Sequence, residues 1–357
     1  MANIRRDIDY LPPNSTDDID YLRTNSGEMV IVATPNLCFD RTELIRELVP
    51  GAVIRSRAVD VTAGGKGVNV ARVLRAYGRR CTLVGLVGDE DRTRLLGLLA
   101  DEGGDELRVV AVAMAGYTRT TVIMVEDEPR RVTVLNELGT GIDGPTWARY
   151  VAAVADQLAE GELLVCAGSL PPGAPVDGFG QVVSRAREVG AVSIVDTAPA
   201  ALRAALGSEP DLVTPNLAEA EAALAGTQAD LLGVDDSDAE RRAGTAALGL
   251  CELGARRAAV TAGGDGVAFA VGGTVSWVPA VPVHVVSTVG AGDSFVGGVA
   301  VELLERPPDW FEAVLRGTAT ASASCERLLS GGVDLDRVQE LLAAIRAGLP
   351  TPSVGTR

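Results

Sequence analysis

Ser287-Thr288-Val289-Gly290-Ala291-Gly292-Asp293-Ser294-Phe295 joins an apolar run, Val283–Val286, to a segment of helical periodicity over 293–305. The run predicts a strand and the segment a helix, with the glycines at the junction. Gly290-Ala291-Gly292 lets backbone N–H groups converge at the helix entrance, where the dipole is positive, so the loop predicts an anion hole. Asp293 stands in the same turn. It can serve as a plain cap, or as a carboxylate beside a bound anion. The second arrangement suits phosphoryl transfer to a hydroxyl, in which the carboxylate receives the proton and the N–H groups hold the transferring group. A helix N-terminus also predicts an ionised, weakly basic Asp293.

A second glycine-rich loop opens another helix. Ala63-Gly64-Gly65-Lys66-Gly67-Val68-Asn69 leads into apolar positions 68, 70, 71, 73 and 74, stopped by Gly78. It is no Walker A loop, because Gly67 rather than Ser or Thr follows the lysine. It reads either as a flexible turn or as a contact for a phosphorylated, polyhydroxylated ligand. Lys66 is the only lysine among 32 basic residues, which marks it out.

Three further segments are weaker. Thr261-Ala262-Gly263-Gly264-Asp265-Gly266 is a turn that could wrap a nucleotide. Asn216-Leu217-Ala218-Glu219 has capping-box spacing. Gly139-Thr140-Gly141-Ile142-Asp143-Gly144 matches a dinucleotide fingerprint only formally, since the next strand ends Cys166-Ala167-Gly168 without an acidic ribose ligand. His284, the single histidine, falls in the apolar run and reads as a core or lid residue.

Outward from these loops, short apolar runs alternate with helical patterns from residue 28 to 350, which argues an α/β domain with a mainly parallel sheet covered on both faces. β-rich segments at about 36–61 and 115–136 interrupt the alternation and predict a small second sheet, or lid. Residues 1–27 read as a loosely ordered tail with an 11-residue near-duplication, DIDYLPPNSTD (7–17) and DIDYLRTNSGE (18–28), and residues 351–357 as a C-terminal tail.

The 357 residues are 47% hydrophobic, enough for a large core, and carry a net charge of −16, which opposes binding to nucleic acid or an anionic membrane. Five scattered cysteines with no CxxC spacing suggest neither a disulfide framework nor a zinc site and fit a reducing cytoplasm. One histidine leaves no room for a Ser-His-Asp triad or a multi-histidine metal site. No run is long enough for a membrane span, and the first residues lack a signal-peptide core.

Taken together, TAGGKGVNVARVLRAYG (62–78) and VVSTVGAGDSFVGG (285–298) resemble the two signatures of the PfkB/ribokinase family of carbohydrate kinases. TPNLCFDRT (34–42), AGSLPPG (167–173), IVDTAPAAL (194–202), VTPNLAEAE (213–221) and VTAGGDG (260–266) support the likeness, which spans about 29–348. AGGKG and AGSLPPG are similar to the 1-phosphofructokinase and tagatose-6-phosphate kinase branch. The resemblance implies a ribokinase-like three-layer α/β/α fold with a β-sheet lid, ATP as donor and Mg²⁺ as its ion. It implies Asp293 as base, with Gly290, Ala291 and Gly292 as anion hole. Asp40, Gly64, Gly65 and Asn69 would hold the sugar. Lys66 and Arg119, with Arg55 a weaker candidate, would face the acceptor phosphate. Asn216, Thr261, Gly263 and Gly266 would line the nucleotide site, and Glu219 would bind Mg²⁺ through water. Thr214 stands where the family often has lysine, so one nucleotide-phosphate contact is expected to be missing. The reaction implied is transfer from ATP to fructose 1-phosphate, tagatose 6-phosphate or fructose 6-phosphate by a cytoplasmic homodimer joined through its lids. A kinase of unphosphorylated sugars or nucleosides, and a non-catalytic sugar-phosphate sensor, are the rival readings. Lys66 argues against the first and Asp293 against the second.

Overall fold

The computed structural model describes residues 19–21, 30–127, 131–227, 238–305 and 308–349. In chain order, the first half comprises β1 (Ile19–Tyr21), β2 (Val30–Ala33), β3 (Cys38–Ile45), β4 (Ala58–Gly64), α1 (Lys66–Ala76), β5 (Cys81–Gly88), α2 (Arg92–Gly103), β6 (Leu107–Met114), β7 (Arg119–Glu126), β8 (Val132–Asn136) and α3 (Gly144–Ala155). The second half comprises β9 (Leu163–Ala167), α4 (Gly178–Val189), β10 (Val192–Asp196), α5 (Pro199–Ala205), β11 (Leu212–Val213), α6 (Leu217–Ala225), α7 (Ala239–Glu252), β12 (Arg257–Thr261), β13 (Gly266–Val271), β14 (Thr274–Pro279), α8 (Ala291–Leu303), α9 (Trp310–Cys325) and α10 (Leu335–Gly348).

Ten strands form the main sheet in the order β1-β6-β5-β2-β9-β10-β11-β12-β13-β14, parallel from β6 through β12 and antiparallel at both edges. The apolar strands supply both faces. Val30 and Val32 pack with α1, α2, α8, α9 and α10, whereas Ile31 and Ala33 pack with α3 through α7. Period-2 side chains that are buried on either face need two helical layers, so the continuous hydrophobic runs dictate the three-layer sandwich. Chain order reverses between β2 and β9, the place where open α/β sheets bind ligands at their C-terminal strand ends.

The lid is a separate four-stranded sheet, β4-β3-β7-β8. Its β3 and β7 are parallel, with Asp40 opposite Thr121, while β4 and β8 flank them antiparallel. The two β-rich segments thus meet as one sheet. Of the N-terminal duplication, only Ile19–Tyr21 is described, as an edge strand antiparallel to β6. The first copy, residues 7–17, lies outside the described residues, as does 351–357.

The sequence reading is corrected at one element. Val283–Val286 is not a strand: the segment runs unpaired over the end of α9, with the Val286 and Ser287 N–H groups donating to the Cys325 carbonyl at 2.8 and 3.1 Å. Its valines are half-buried or exposed, and His284 is exposed rather than in the core. A β-branched run satisfies strand propensity, but here the backbone N–H groups at its end are taken by the end of α9 rather than by a neighbouring strand. Among the described residues no helix is long and apolar enough to cross a membrane, and all five cysteines are free thiols.

Candidate active site

A cavity of about 900 Å³ lies between the C-terminal ends of β9 to β12, the start of α1, the start of α8 and the inner surface of the lid. Its size suits two small-molecule ligands side by side. Asp40, Gly65, Lys66, Asn69, Arg119, Asn216, Glu219, Thr261, Gly290, Gly292 and Asp293 all reach its wall. Gly64, Ala291, Gly263 and Gly266 do not.

Asp293 is the third residue of α8 and is buried. Close helix packing delivers it. A Cβ on Gly297 would lie 2.6 Å from Val73 of α1, so only glycine lets α8 lie this close to α1. Asn69 of α1 then donates its amide N–H to Asp293 Oδ2 at 2.7 Å. Burial pushes the Asp293 carboxyl up to about 7, against Lys66 and the Asn69 bond, which lower it, while Asp196 and Asp40 add to the rise. The expectation of an ionised, weakly basic Asp293 is therefore overturned: desolvation by burial outweighs the helix terminus. A carboxyl with its pKa near neutrality is a competent acceptor of a hydroxyl proton.

Gly290 caps the helix at φ 80°, and a Cβ there would meet Ser330 Cβ at 2.8 Å. The Ala291 N–H is bonded to the Thr288 carbonyl at 3.2 Å. The N–H groups left open at this helix start are consequently those of Gly292 and Asp293, which have no carbonyl one turn back, rather than that of Ala291.

Lys66 opens α1. Its ammonium lies 3.1 Å from Asp196 Oδ2, at the end of β10, and 3.9 Å from Glu219 Oε1. Burial disfavours the charge, but Asp196, Glu219 and Asp293 together hold its pKa above the usual lysine value. Burial raises the Glu219 carboxyl in turn, with Lys66 opposing. The partners of Lys66 are thus the central carboxylates of the cavity. Arg119, expected beside Lys66, is buried and donates to the carbonyls of Asn36 at 3.2 Å and Glu137 at 3.1 Å.

On the lid side Asp40 is half-buried, and burial raises its carboxyl pKa, opposed by the Cys38 thiol bond and by the charges of Arg72 and Arg119. Gly64, opposite Cys38 in the β3–β4 pair, lies diagonally beside it. A Cβ on Gly64 would overlap the Asp40 carboxylate at 2.2 Å, so this glycine is the room in which Asp40 sits. Gly65 adopts φ 113°, a conformation that favours glycine. Asn36 donates to Ser169 Oγ at 2.9 Å, tying the β2 end to the loop after β9. Arg55 lines neither this cavity nor its neighbour under the lid.

At the opposite end Asn216 and Glu219 form the expected capping box, with the Glu219 N–H donating to Asn216 Oδ1 at 2.9 Å and the Asn216 N–H to Glu219 Oε2 at 3.0 Å. Both also face the cavity, so the capping role leaves them open to a ligand. Thr261 reaches the wall and bridges to Asn216. Gly263 sits in the turn beyond, and Gly266 is held to β14, where a Cβ would meet the Val278 carbonyl at 2.3 Å. Gly266 is therefore explained by hairpin packing. Thr214 Oγ1 is buried on this wall with no hydrogen-bond partner.

Sequence reading gave no role to Asp196, Arg72, Asn36 or Ser169. Asp196 and Ser169 carried a signal, since both stand at the ends of parallel strands. Arg72 carried none, because one arginine in an amphipathic helix resembles any other.

A helix start with open N–H groups, a buried carboxyl raised to about 7 and a cation among carboxylates, all under a lid, suit phosphoryl transfer to a hydroxyl. The comparisons agree. Residues 31–334 match the model of the pfkB family carbohydrate kinase, and the chain belongs to that family. It is 32% identical over 265 residues to the 1-phosphofructokinase of Rhodobacter capsulatus, covering 74% of this chain and 80% of that one. It is 30% identical over 319 residues to the 1-phosphofructokinase of Escherichia coli K12, covering 88% and 97%. Phosphofructokinase-2 from Escherichia coli, solved with substrates and products, superposes with a TM-score of 0.76 at 28% identity, covering 90% of this chain and all of that one.

Proposed function

We propose that the chain transfers the γ-phosphoryl group of ATP to a free hydroxyl of a ketohexose phosphate, with fructose 1-phosphate as acceptor and fructose 1,6-bisphosphate and ADP as products. The observation that carries this reading is the buried Asp293 carboxyl, pushed up to about 7 and held by Asn69 at the helix start. Two relatives named 1-phosphofructokinase at 30% identity or more favour the 1-phosphate.

The sugar binds on the lid side, with Asp40 and the backbone at Gly65 on its hydroxyls and Arg119 at its phosphate. The nucleotide lies toward Asn216 and Thr261. Asp293 accepts the hydroxyl proton as that oxygen forms its bond to the γ-phosphorus and the bond to the ADP oxygen breaks. The Gly292 and Asp293 N–H groups and the Lys66 ammonium face the charge spread over the transferring group, which is where positioned donors lower the barrier most.

Mg²⁺ fits the donor set. No group of three or more His, Cys, Asp or Glu side chains arranged to hold a metal ion occurs among the described residues, and Mg²⁺ carried on nucleotide phosphates needs only one or two protein carboxylates. Glu219 would hold it through water, and the ion would neutralise phosphate charge. Exposed apolar side chains on the lid strands, Val59 and Leu135 among them, support a homodimer joined through the lids.

A coupled ADP-release assay over fructose 1-phosphate, fructose 6-phosphate, tagatose 6-phosphate, free fructose and adenosine tests the reading. Preference for a phosphorylated ketohexose is expected. Turnover confined to the unphosphorylated acceptors, or none at all, would overturn it.

A further inference from the structure

Behind Asn69 lies a charged side chain that does not line the main cavity and only borders the smaller one under the lid. Arg72, one turn further along α1, is 9% exposed. Its guanidinium donates to Asn69 Oδ1 at 2.7 Å, to the Ala63 carbonyl at 2.7 Å, to Glu102 Oε2 at 2.8 Å and more weakly to the Ser330 carbonyl at 3.4 Å. Four elements thus meet on one side chain: α1, the end of β4 before the Gly64-Gly65 loop, α2, and the Ser330 turn that packs on Gly290. Gly331 completes the enclosure, since a Cβ there would lie 2.6 Å from the Asn69 carbonyl and 3.1 Å from Arg72 Cβ.

This arrangement decides the orientation of an amide. A guanidinium only donates, so Asn69 must turn its oxygen toward Arg72 and its NH₂ toward Asp293. The NH₂ then favours the carboxylate form of Asp293, the form able to take a proton. With Asn69 Oδ1 already engaged, a protonated Asp293 finds no acceptor on this amide.

We propose that Arg72 is a positioning residue for phosphoryl transfer, anchored by Glu102 and Ala63, that locks the Asn69 amide so its N–H faces Asp293. The proposal rests on Asp293 being the base. Without Arg72 the Asn69 amide is free to rotate and present its oxygen, which stabilises the protonated acid. The groups facing Asp293 are Lys66 and Asn69 from α1, Asp196 from β10 and Asp40 from β3. Lys66 and Asp196 stay in place when Arg72 is changed. Asp40 lies near Arg72, so its response is read separately, in the KM for sugar phosphate.

The test is the pH profile of kcat for Arg72→Met and Arg72→Lys, measured from pH 5.5 to 9.5 beside the native protein, with the substrate's own titration common to all three. Arg72→Met should move the acid limb up by about one pH unit, a roughly tenfold loss below the limb that recovers toward the native rate above pH 9. Arg72→Lys, which keeps one cationic donor for Asn69 Oδ1, should lie between. In an Asn69→Ala background the Arg72 change should move the limb no further. A loss that is uniform across pH, or a shift that persists without the Asn69 amide, would overturn the proposal. Should Arg72→Met not fold, the Arg72→Lys profile alone decides, because an unshifted limb refutes the idea. Failure of the underlying reading is distinguishable: it would appear as substantial turnover in Asp293→Asn.

Discussion

Replacing Asp293 by asparagine should abolish most turnover and at the same time stabilise the fold. The carboxyl is buried and its pKa rises from the ordinary 3.8 to about 7. Below pH 4 it is protonated in the folded and the unfolded chain alike and contributes nothing to pH-dependent stability. Between pH 4 and 7 the unfolded chain ionises while the folded chain keeps its proton, so native stability falls by about 1.4 kcal/mol per pH unit. Above pH 7 the deficit levels off at about 4 kcal/mol, an upper figure for this group. Asparagine has nearly the same shape, carries no charge and can still accept the Asn69 N–H through its own oxygen. Asp293→Asn should therefore match the native protein near pH 4 and exceed it by about 2–4 kcal/mol at pH 8. Denaturant unfolding at five or six pH values measures the difference, with ADP release measured on the same samples. Turnover should drop by about 10²–10⁴-fold, the usual weight of a general base. A stability difference independent of pH, or a variant less stable at pH 8, would refute the burial argument. A kcat within a few-fold of native would refute the base.

Three other outcomes follow from the geometry. Lys66→Ala leaves the buried Asp196 without its cation. Because 36% of the Lys66 side chain is open, the expected loss of stability by thermal melting is about 1–3 kcal/mol, less than for a sealed pair, and Lys66→Arg should also be impaired, since the ammonium sits in a narrow space among three carboxylates. Gly64→Ala drives a methyl group into the Asp40 carboxylate and should lower kcat/KM for the sugar phosphate about a hundredfold; an unchanged KM for sugar would remove Asp40 from the sugar site. Leu135→Asp on the lid should convert a dimer to a monomer by light scattering at micromolar concentration, and a native protein that is already monomeric would defeat the lid interface.

The sequence was informative where a residue type has a single physical use, and silent where its meaning depends on a distant neighbour. Repeated unbroken apolar runs such as Val30–Ala33, separated by helical patterns, suit strands buried on both faces, so the layered sheet was legible. Val283–Val286 has the same local character but meets the end of α9 instead of a strand, and no local property distinguishes the two cases. Glycines divide likewise. Gly290 was readable as the entrance to a helix, whereas Gly64 matters because Asp40, 24 residues away, lies where its Cβ would stand. The sharpest case is Asp293. Local reasoning placed it in the field of a helix N-terminus, which favours the anion by up to ~1 kcal/mol at an exposed end. The fold buries it at the start of α8 against Asn69 of α1, and desolvation of a buried carboxylate can shift a pKa by several units. Burial is a property of the assembled layers, so the raised pKa of Asp293 comes from tertiary packing and not from the loop in which it lies.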